Sequence, residues 1–199
     1  IAGSELKSLL AHGELARDID PLAVEEYFAL GYVPEPRTIF SSAAKLPPGH
    51  SLIVRRGASV PAPREYWDVT FTASSKLSPK EASAELVERL QESVRLRMIS
   101  EVPLGAFLSG GVDSSAVVAM MAEVSAAPVN TCSISFSDAK YDESKYAQHV
   151  AQRYRTRHHV ERVESDDFDL IDLLARLYDE PYADSSAIPT YRVCQLARK

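Results

Sequence analysis

The run Phe107-Leu108-Ser109-Gly110-Gly111-Val112-Asp113-Ser114-Ser115 holds the residue types best suited to chemistry in this chain. It opens where an apolar stretch ends and closes where a long apolar helix begins. Ser109, Gly110 and Gly111 predict a tight turn whose missing Cβ atoms let backbone N–H groups approach a ligand. The first turn of the following helix adds orphan N–H groups and the positive end of its dipole, which together favour an anion. Ser109, Ser114 and Ser115 supply hydroxyl donors. Asp113 is a poor neighbour for a bare phosphate and a good one when a cation bridges the two. The pattern predicts a Mg²⁺-assisted pyrophosphate cradle; a glycine turn with helix-capping Asp and Ser is the plainer alternative. Neither Gly-x-x-x-x-Gly-Lys-Ser/Thr nor Gly-x-Gly-x-x-Gly occurs, so a Walker-type loop and a dinucleotide fingerprint find no support.

Other chemically capable residues are weaker signals. His158 and His159 are adjacent, and on a strand they point to opposite faces, which suits a polar strand end better than a metal site. Asp138, Asp142 and Glu143 could hold a metal or a nucleotide ribose, but helix capping by Asp142 explains them as well. Asp184, Ser185 and Ser186 precede a helix, where capping and substrate binding compete. Cys132 and Cys194 read as small core residues. The five histidines follow no zinc-ligand spacing.

The elements that must position the cradle alternate strand and helix. Val102 to Leu108 predicts a short buried strand, Ser115 to Val124 a helix apolar nearly all round, and Val129 to Phe136 the next strand. Tyr146, Ala147, Val150, Ala151 and Tyr154 mark a helix beginning near residues 142–144. His159 to Val163 is a weak strand. Phe168, Ile171, Leu174, Ala175 and Tyr178 mark a helix capped by Asp166 or Asp167. A loop from Glu180 to Ile188 leads into a last helix from Pro189 to Lys199. Such alternation predicts an α/β fold with a parallel, doubly wound sheet. Its ligand would sit beyond the carboxyl ends of the strands, near a topological switch.

Upstream the pattern changes. Ser4 to Leu10 is a short amphipathic segment. Asp20 as N-cap, Pro21 at the first helical position and Gly31 after the end bracket a helix with Leu22, Ala23, Tyr27, Phe28 and Leu30 as its apolar face. Lys45 to His50 is a turn, Ser51 to Arg56 a strand, and Arg56-Gly57 the turn into another strand, Ala58 to Val60. Prolines 61 and 63 open a stretch without periodicity, anchored by Tyr66 and Trp67. Ser78, Pro79 and Glu81 then start a helix through a capping box. Leu86, Leu90, Val94 and Met98 form its buried stripe, with Arg89, Arg95 and Arg97 on the solvated side.

Bulk properties narrow the class. The 199 residues are 45% hydrophobic and 25% charged, as in an ordinary globular protein. A net charge of −6 argues against nonspecific nucleic-acid binding. No apolar run approaches a membrane span, and two cysteines suit a reducing compartment, so a cytoplasmic protein is expected. A start at Ile1 and a last helix lacking its following strand predict a fragment cut inside its second domain.

The cradle resembles the PP-loop of enzymes that split ATP to AMP and pyrophosphate while adenylating a substrate. Leu46-Pro47-Pro48-Gly49-His50 followed by Tyr66-Trp67 resembles the end of the glutaminase domain in glutamine-hydrolysing asparagine synthetases, and residues 107–115 resemble the start of their synthetase domain. Ser4-Glu5-Leu6-Lys7, Gly31-Tyr32-Val33-Pro34, and Glu180-Pro181 with Asp184-Ser185-Ser186 are similar to bacterial members. The resemblance implies residues 1–67 as the C-terminal part of an α+β N-terminal-nucleophile glutaminase domain. It implies 68–77 as linker and 78–199 as part of a PP-loop ATP pyrophosphatase domain of the adenine nucleotide alpha hydrolase type.

In that family ATP and aspartate give β-aspartyl-AMP, which glutamine-derived ammonia attacks. The resemblance implies ATP and Mg²⁺ as cofactors, an aspartate-like carboxylate as substrate, and room for a homodimer. It implies that Ser109, Gly110, Gly111, Asp113, Ser114 and Ser115 hold phosphates and Mg²⁺, with Asp113 the metal ligand. Leu108 and Ile134 match positions that contact the adenine nucleotide. The glutaminase cysteine nucleophile and the family's second Ser-Gly-x-Gly loop have no match in this chain, so the fragment alone is expected to bind nucleotide without turnover. Alternatives are another PP-loop adenylating enzyme (GMP synthetase, NAD synthetase, a tRNA-thiolating enzyme, β-lactam synthetase) or a noncatalytic assembly domain.

Overall fold

A computed structural model describes residues 1–71, 76–137, 140, 142–163 and 170–199. The chain forms two compact units: Ile1–Ala73 with Asp169–Ser185, and Ser74–Phe168 with Ser186–Lys199.

In the first unit, α1 (Leu6–Leu10) and α2 (Pro21–Leu30) pack around Leu6, Ala23, Val33 and Ile39. The Asp20 carboxylate accepts from the Leu22 amide at 2.9 Å, and Gly31 closes α2 in the left-handed region, as expected. The apolar face differs from expectation. Ala23 is fully buried and Val24 and Tyr27 pack beside it, while Leu22, Phe28 and Leu30 are exposed. A ten-residue helix on so small a core has room to bury one narrow strip.

The strand pair of this unit is β1 (His50–Ser51) and β2 (Arg64–Glu65), antiparallel with His50 opposite Glu65. The turn at Arg56-Gly57 is present, but no strand occupies 58–60. Tyr66 and Trp67 anchor the chain through their backbones, their side chains being largely exposed. Both amides donate to the Gly49 carbonyl, at 2.8 and 3.2 Å, and a Cβ on Gly49 would lie 2.0 Å from the Trp67 carbonyl oxygen. Helix α6 (Ile171–Leu177) belongs to this unit, not to the later one with which its sequence neighbours suggested it. Just beyond it the Asp179 carboxylate accepts from the Leu6 amide at 2.6 Å, and Glu180 accepts from the Ile39 amide at 2.6 Å. The caps expected at Asp166 or Asp167, and Phe168, lie outside the described residues.

The second unit begins with α3 (Pro79–Arg97). Its capping box is complete: the Glu81 amide donates to Ser78 Oγ, and the Ser78 amide donates to the Glu81 carboxylate at 2.8 Å. Leu90, Val94 and Met98 pack against Met121 and Val129, whereas Leu86 is 66% exposed, so the buried stripe covers the C-terminal half alone. Arg89 and Arg95 pair with Glu85 and Glu92 on the outer side, and Arg97 bonds Ser93.

Three parallel strands follow, β3 (Gly105–Phe107), β4 (Asn130–Phe136) and β5 (Arg157–Val163), in that spatial order. The crossovers are α4 (Val112–Val124) and α5 (Ser144–Tyr154). Both helices pack on one face, where Leu108, Val118, Ala147 and Ala151 form the core, as crossovers of one hand moving the same way require. Helix α7 (Ala187–Arg198) packs on β4 and β5. Alternation along β4 turns Cys132, Ile134 and Phe136 toward it, so the sheet carries helices on both faces. Strand β3 is shorter than expected and Val102 is exposed, since Pro103 cannot donate to a ladder. The described strands lie in chain order, so they contain no reversal of the kind expected beside the site.

Candidate functional site

The turn after β3 is fixed from two sides. The Leu108 amide donates to the Cys132 carbonyl at 2.9 Å and its carbonyl accepts from Ser133 Oγ, leaving Leu108 1% exposed. Gly110 adopts φ +86 and lies against α5: a Cβ there would stand 2.5 Å from the Ala147 nitrogen and 2.6 Å from Tyr146 Cβ. No other residue fits both the backbone and the space.

Within the turn, Ser109 Oγ accepts from the Gly111 amide at 3.2 Å and lies 3.0 Å from Ser114 Oγ. Helix α4 starts at Val112, three residues earlier than its apolar run indicated, and no side chain caps it. The N–H groups of its first turn are therefore open to a ligand, beside two hydroxyls already held together. Asp113 stands exposed in that first turn.

A cavity of about 240 Å³ adjoins the turn. Leu108, Ser109 and Ile134 line it, with Phe136, Cys132 and, from α7, Val193. Burial pushes the Cys132 thiol above its usual range, which keeps it protonated and unreactive. An apolar wall next to a donor-rich turn suits a purine joined to phosphates. One exposed carboxylate suits Mg²⁺ that takes its remaining ligands from phosphate and water. Among the described residues no cluster of three or more metal-ligating side chains occurs, so the Mg²⁺ expectation rests on Asp113 with the nucleotide itself.

Leu108, Ser109 and Ile134 thus share one cavity, and Gly110, Gly111, Asp113 and Ser114 form the adjoining turn and helix start. Ser115 is not part of the Ser109–Ser114 hydroxyl pair: its hydroxyl oxygen is buried with no hydrogen-bond partner. Asp142 stands one residue before the N-cap, Glu143, and binds the first residue of α5, accepting from the Ser144 amide at 3.2 Å and its hydroxyl at 2.9 Å. Asp138 lies outside the described residues. Tyr182 donates to Asp184 at 3.2 Å, and Ser186 precedes α7 without a side-chain cap. His158 is half-buried and His159 exposed, on opposite faces of β5. Cys194 is exposed, contrary to its expected core position.

Glu143, Thr190 and Val193 are cavity residues that the sequence did not single out as a group. The spacing of Thr190 and Val193, three apart on a helix, was a readable signal, but which ligand face they line depends on where α7 packs.

A parallel α/β unit with a glycine-rich turn beyond its first strand and an apolar cavity beside it is the arrangement in which open α/β sheets place their ligands. The sequence matches the asparagine synthase family over residues 85–199 and a glutamine amidotransferase domain over residues 1–67. The chain belongs to the asparagine synthase family. It is 39% identical over 207 residues to putative glutamine-hydrolyzing asparagine synthetase 2 of Methanocaldococcus jannaschii, covering 100% of this chain and 39% of that protein. It is 30% identical over 205 residues to glutamine-hydrolyzing asparagine synthetase 1 of Bacillus subtilis, covering 98% of this chain and 30% of that protein. Amidase chry2 of Gibberella zeae is 33% identical over 132 residues, covering 62% of this chain and 18% of that protein. The chain therefore spans well under half the length of these relatives. Among the described residues, no helix is long and apolar enough to cross a membrane.

Proposed function

We propose that this chain carries the ATP-binding part of a glutamine-using amidotransferase that adenylates a carboxylate for amidation, with aspartate as the substrate class. The observation that carries the proposal is the turn at Ser109-Gly110-Gly111, pressed against α5 and opening on an uncapped α4 beside the cavity of Leu108 and Ile134. In this reading residues 1–67 are the C-terminal part of the glutaminase domain, 68–77 the linker, and 78–199 part of a PP-loop synthetase domain.

The first-turn N–H groups of α4, with Ser109 and Ser114, hold the β- and γ-phosphates and leave the α-phosphorus facing the acceptor. A carboxylate oxygen of the acceptor attacks that phosphorus, the bond to the bridging oxygen breaks, and pyrophosphate departs. Ammonia then attacks the acyl carbon and AMP leaves, giving the amide. When bound, Mg²⁺ supplies charge neutralisation on the departing pyrophosphate. Asp113 would hold it, and the fixed donors of the turn act without reorganising. Ser115 is assigned with them as a residue of the same loop, although its buried hydroxyl would have to turn to reach a phosphate. The chain alone binds nucleotide without turnover in this proposal.

The intact parent protein provides the test, through carboxylate-dependent exchange of labelled pyrophosphate into ATP. Asp113→Ala is expected to abolish exchange while leaving glutamine hydrolysis intact. Normal exchange in that variant would refute the assignment.

A further inference from the structure

We propose that Glu143 is a specificity residue that accepts hydrogen bonds from the ribose hydroxyls of the bound nucleotide. This rests on the nucleotide reading above and deepens it. Among the described residues lining the cavity of Leu108 and Ile134, Glu143 is the one that carries a charge. Its backbone is fixed at the start of α5, where its carbonyl accepts from the Tyr146 and Ala147 amides at 2.9 and 3.3 Å. Its side chain makes no cap on α5. Asp142, by contrast, is engaged at the helix start, where its two oxygens take the Ser144 amide and hydroxyl. The neighbouring carboxylates are thus divided, one engaged by Ser144 and the other, without a partner on α5, on a residue that lines the cavity.

The position of that carboxylate narrows what it can meet. Helix α5 is the element against which Gly110 is pressed, so Glu143 stands beside the anion turn, at the junction of the donor-rich and apolar halves of the site. A carboxylate repels phosphate oxygens and gains nothing from the flat face of a base. Between those two parts of a nucleotide lies a vicinal diol, whose two O–H donors match a carboxylate's two acceptor oxygens. A free carboxylate on this wall therefore selects a ribonucleoside over a deoxyribonucleoside.

Titration calorimetry of the 199-residue chain with ATP, 2′-deoxyATP, 3′-deoxyATP and ITP, each with Mg²⁺, tests this on wild type, Glu143→Gln and Glu143→Ala. Wild type is expected to bind ATP about tenfold tighter than either deoxy analogue, as for loss of a hydrogen bond to a charged group. Glu143→Ala is expected to lose that preference, binding all three alike, with Glu143→Gln between. Equal weakening for ATP and its deoxy analogues in Glu143→Ala would overturn the ribose assignment and leave the nucleotide site standing. Erasure of an ATP-over-ITP preference would overturn it in favour of the base amine, and a changed Mg²⁺ requirement in favour of the metal. Absence of ATP binding by folded wild-type chain would overturn the nucleotide reading and this assignment with it.

Discussion

Gly110 is seated on the first turn of α5, with no room for a Cβ before the Ala147 amide nitrogen, 2.5 Å from where that carbon would be. The contact couples the glycine-rich turn to α5, at whose start Glu143 stands, so the turn's shape is set by packing before any ligand arrives. Gly110→Ala meets both a positive φ and this contact, and is expected to cost roughly 1–3 kcal/mol in stability. Thermal melting checks that figure, and nucleotide affinity should fall even at temperatures where the variant is folded. Unchanged affinity in folded Gly110→Ala would show that the turn does not shape the binding surface.

Lys45 and Glu180 meet at 2.5 Å across 135 positions of sequence, and the other Glu180 oxygen accepts from the Ile39 amide. The Glu180 side chain is 13% exposed, so removing it leaves the amide of buried Ile39 without its acceptor and breaks the ion pair to Lys45, whose ammonium keeps the Val33 carbonyl. Glu180→Ala is expected to destabilise the first unit by roughly 1–3 kcal/mol. Hydrogen exchange at Ile39 and its neighbours should rise, while amides of β4 and β5 keep their protection. A loss of protection spread evenly over both units would contradict this placement.

His158 gives the chain a pH dependence of definite sign. Burial, with the charge of neighbouring His159, lowers its pKa below the usual 6.5, although its contact with Thr131 opposes the shift. Its Nε2 is buried without a partner, which disfavours the imidazolium. A folded-state pKa below the unfolded one means the unfolded chain binds more protons in the window between them. The contribution is fully present above about pH 6.5 and is lost as pH falls from there toward the folded value. Melting temperature should therefore drop from pH 7.5 to pH 5.5, and His158→Gln should flatten that part of the profile. An unaltered slope in the variant would assign the effect elsewhere.

The features legible in sequence were local ones. Asp20, Pro21 and Gly31 bracket α2, and Ser78, Pro79 and Glu81 start α3, because a cap is written within four residues. The Gly-rich turn was legible because a close backbone approach admits no other residue. What was hidden depends on partners distant in sequence. Glu180 read as part of a loop because nothing near it reveals Ile39 or Lys45. The sequence points to residues 58–60 as the partner of β1, since two-residue strands carry no periodicity and β2 lies beyond a turn that is itself real. Phe28 and Leu86 fitted helical stripes, but a stripe shows which face is apolar and not how far a neighbour extends along it. Asp142 and Glu143 are adjacent acids in sequence; which of them binds Ser144 and which lines the cavity appears once α5 is in place.

Binding of ATP to this chain, followed by titration calorimetry with and without Mg²⁺, tests the central claim most directly. The expected result is saturable one-to-one binding that requires Mg²⁺ and weakens at least about tenfold in Asp113→Asn, as charge-assisted ligation is lost. Folded wild-type chain that fails to bind ATP with Mg²⁺, or an Asp113→Asn variant that binds as tightly as wild type, would contradict it.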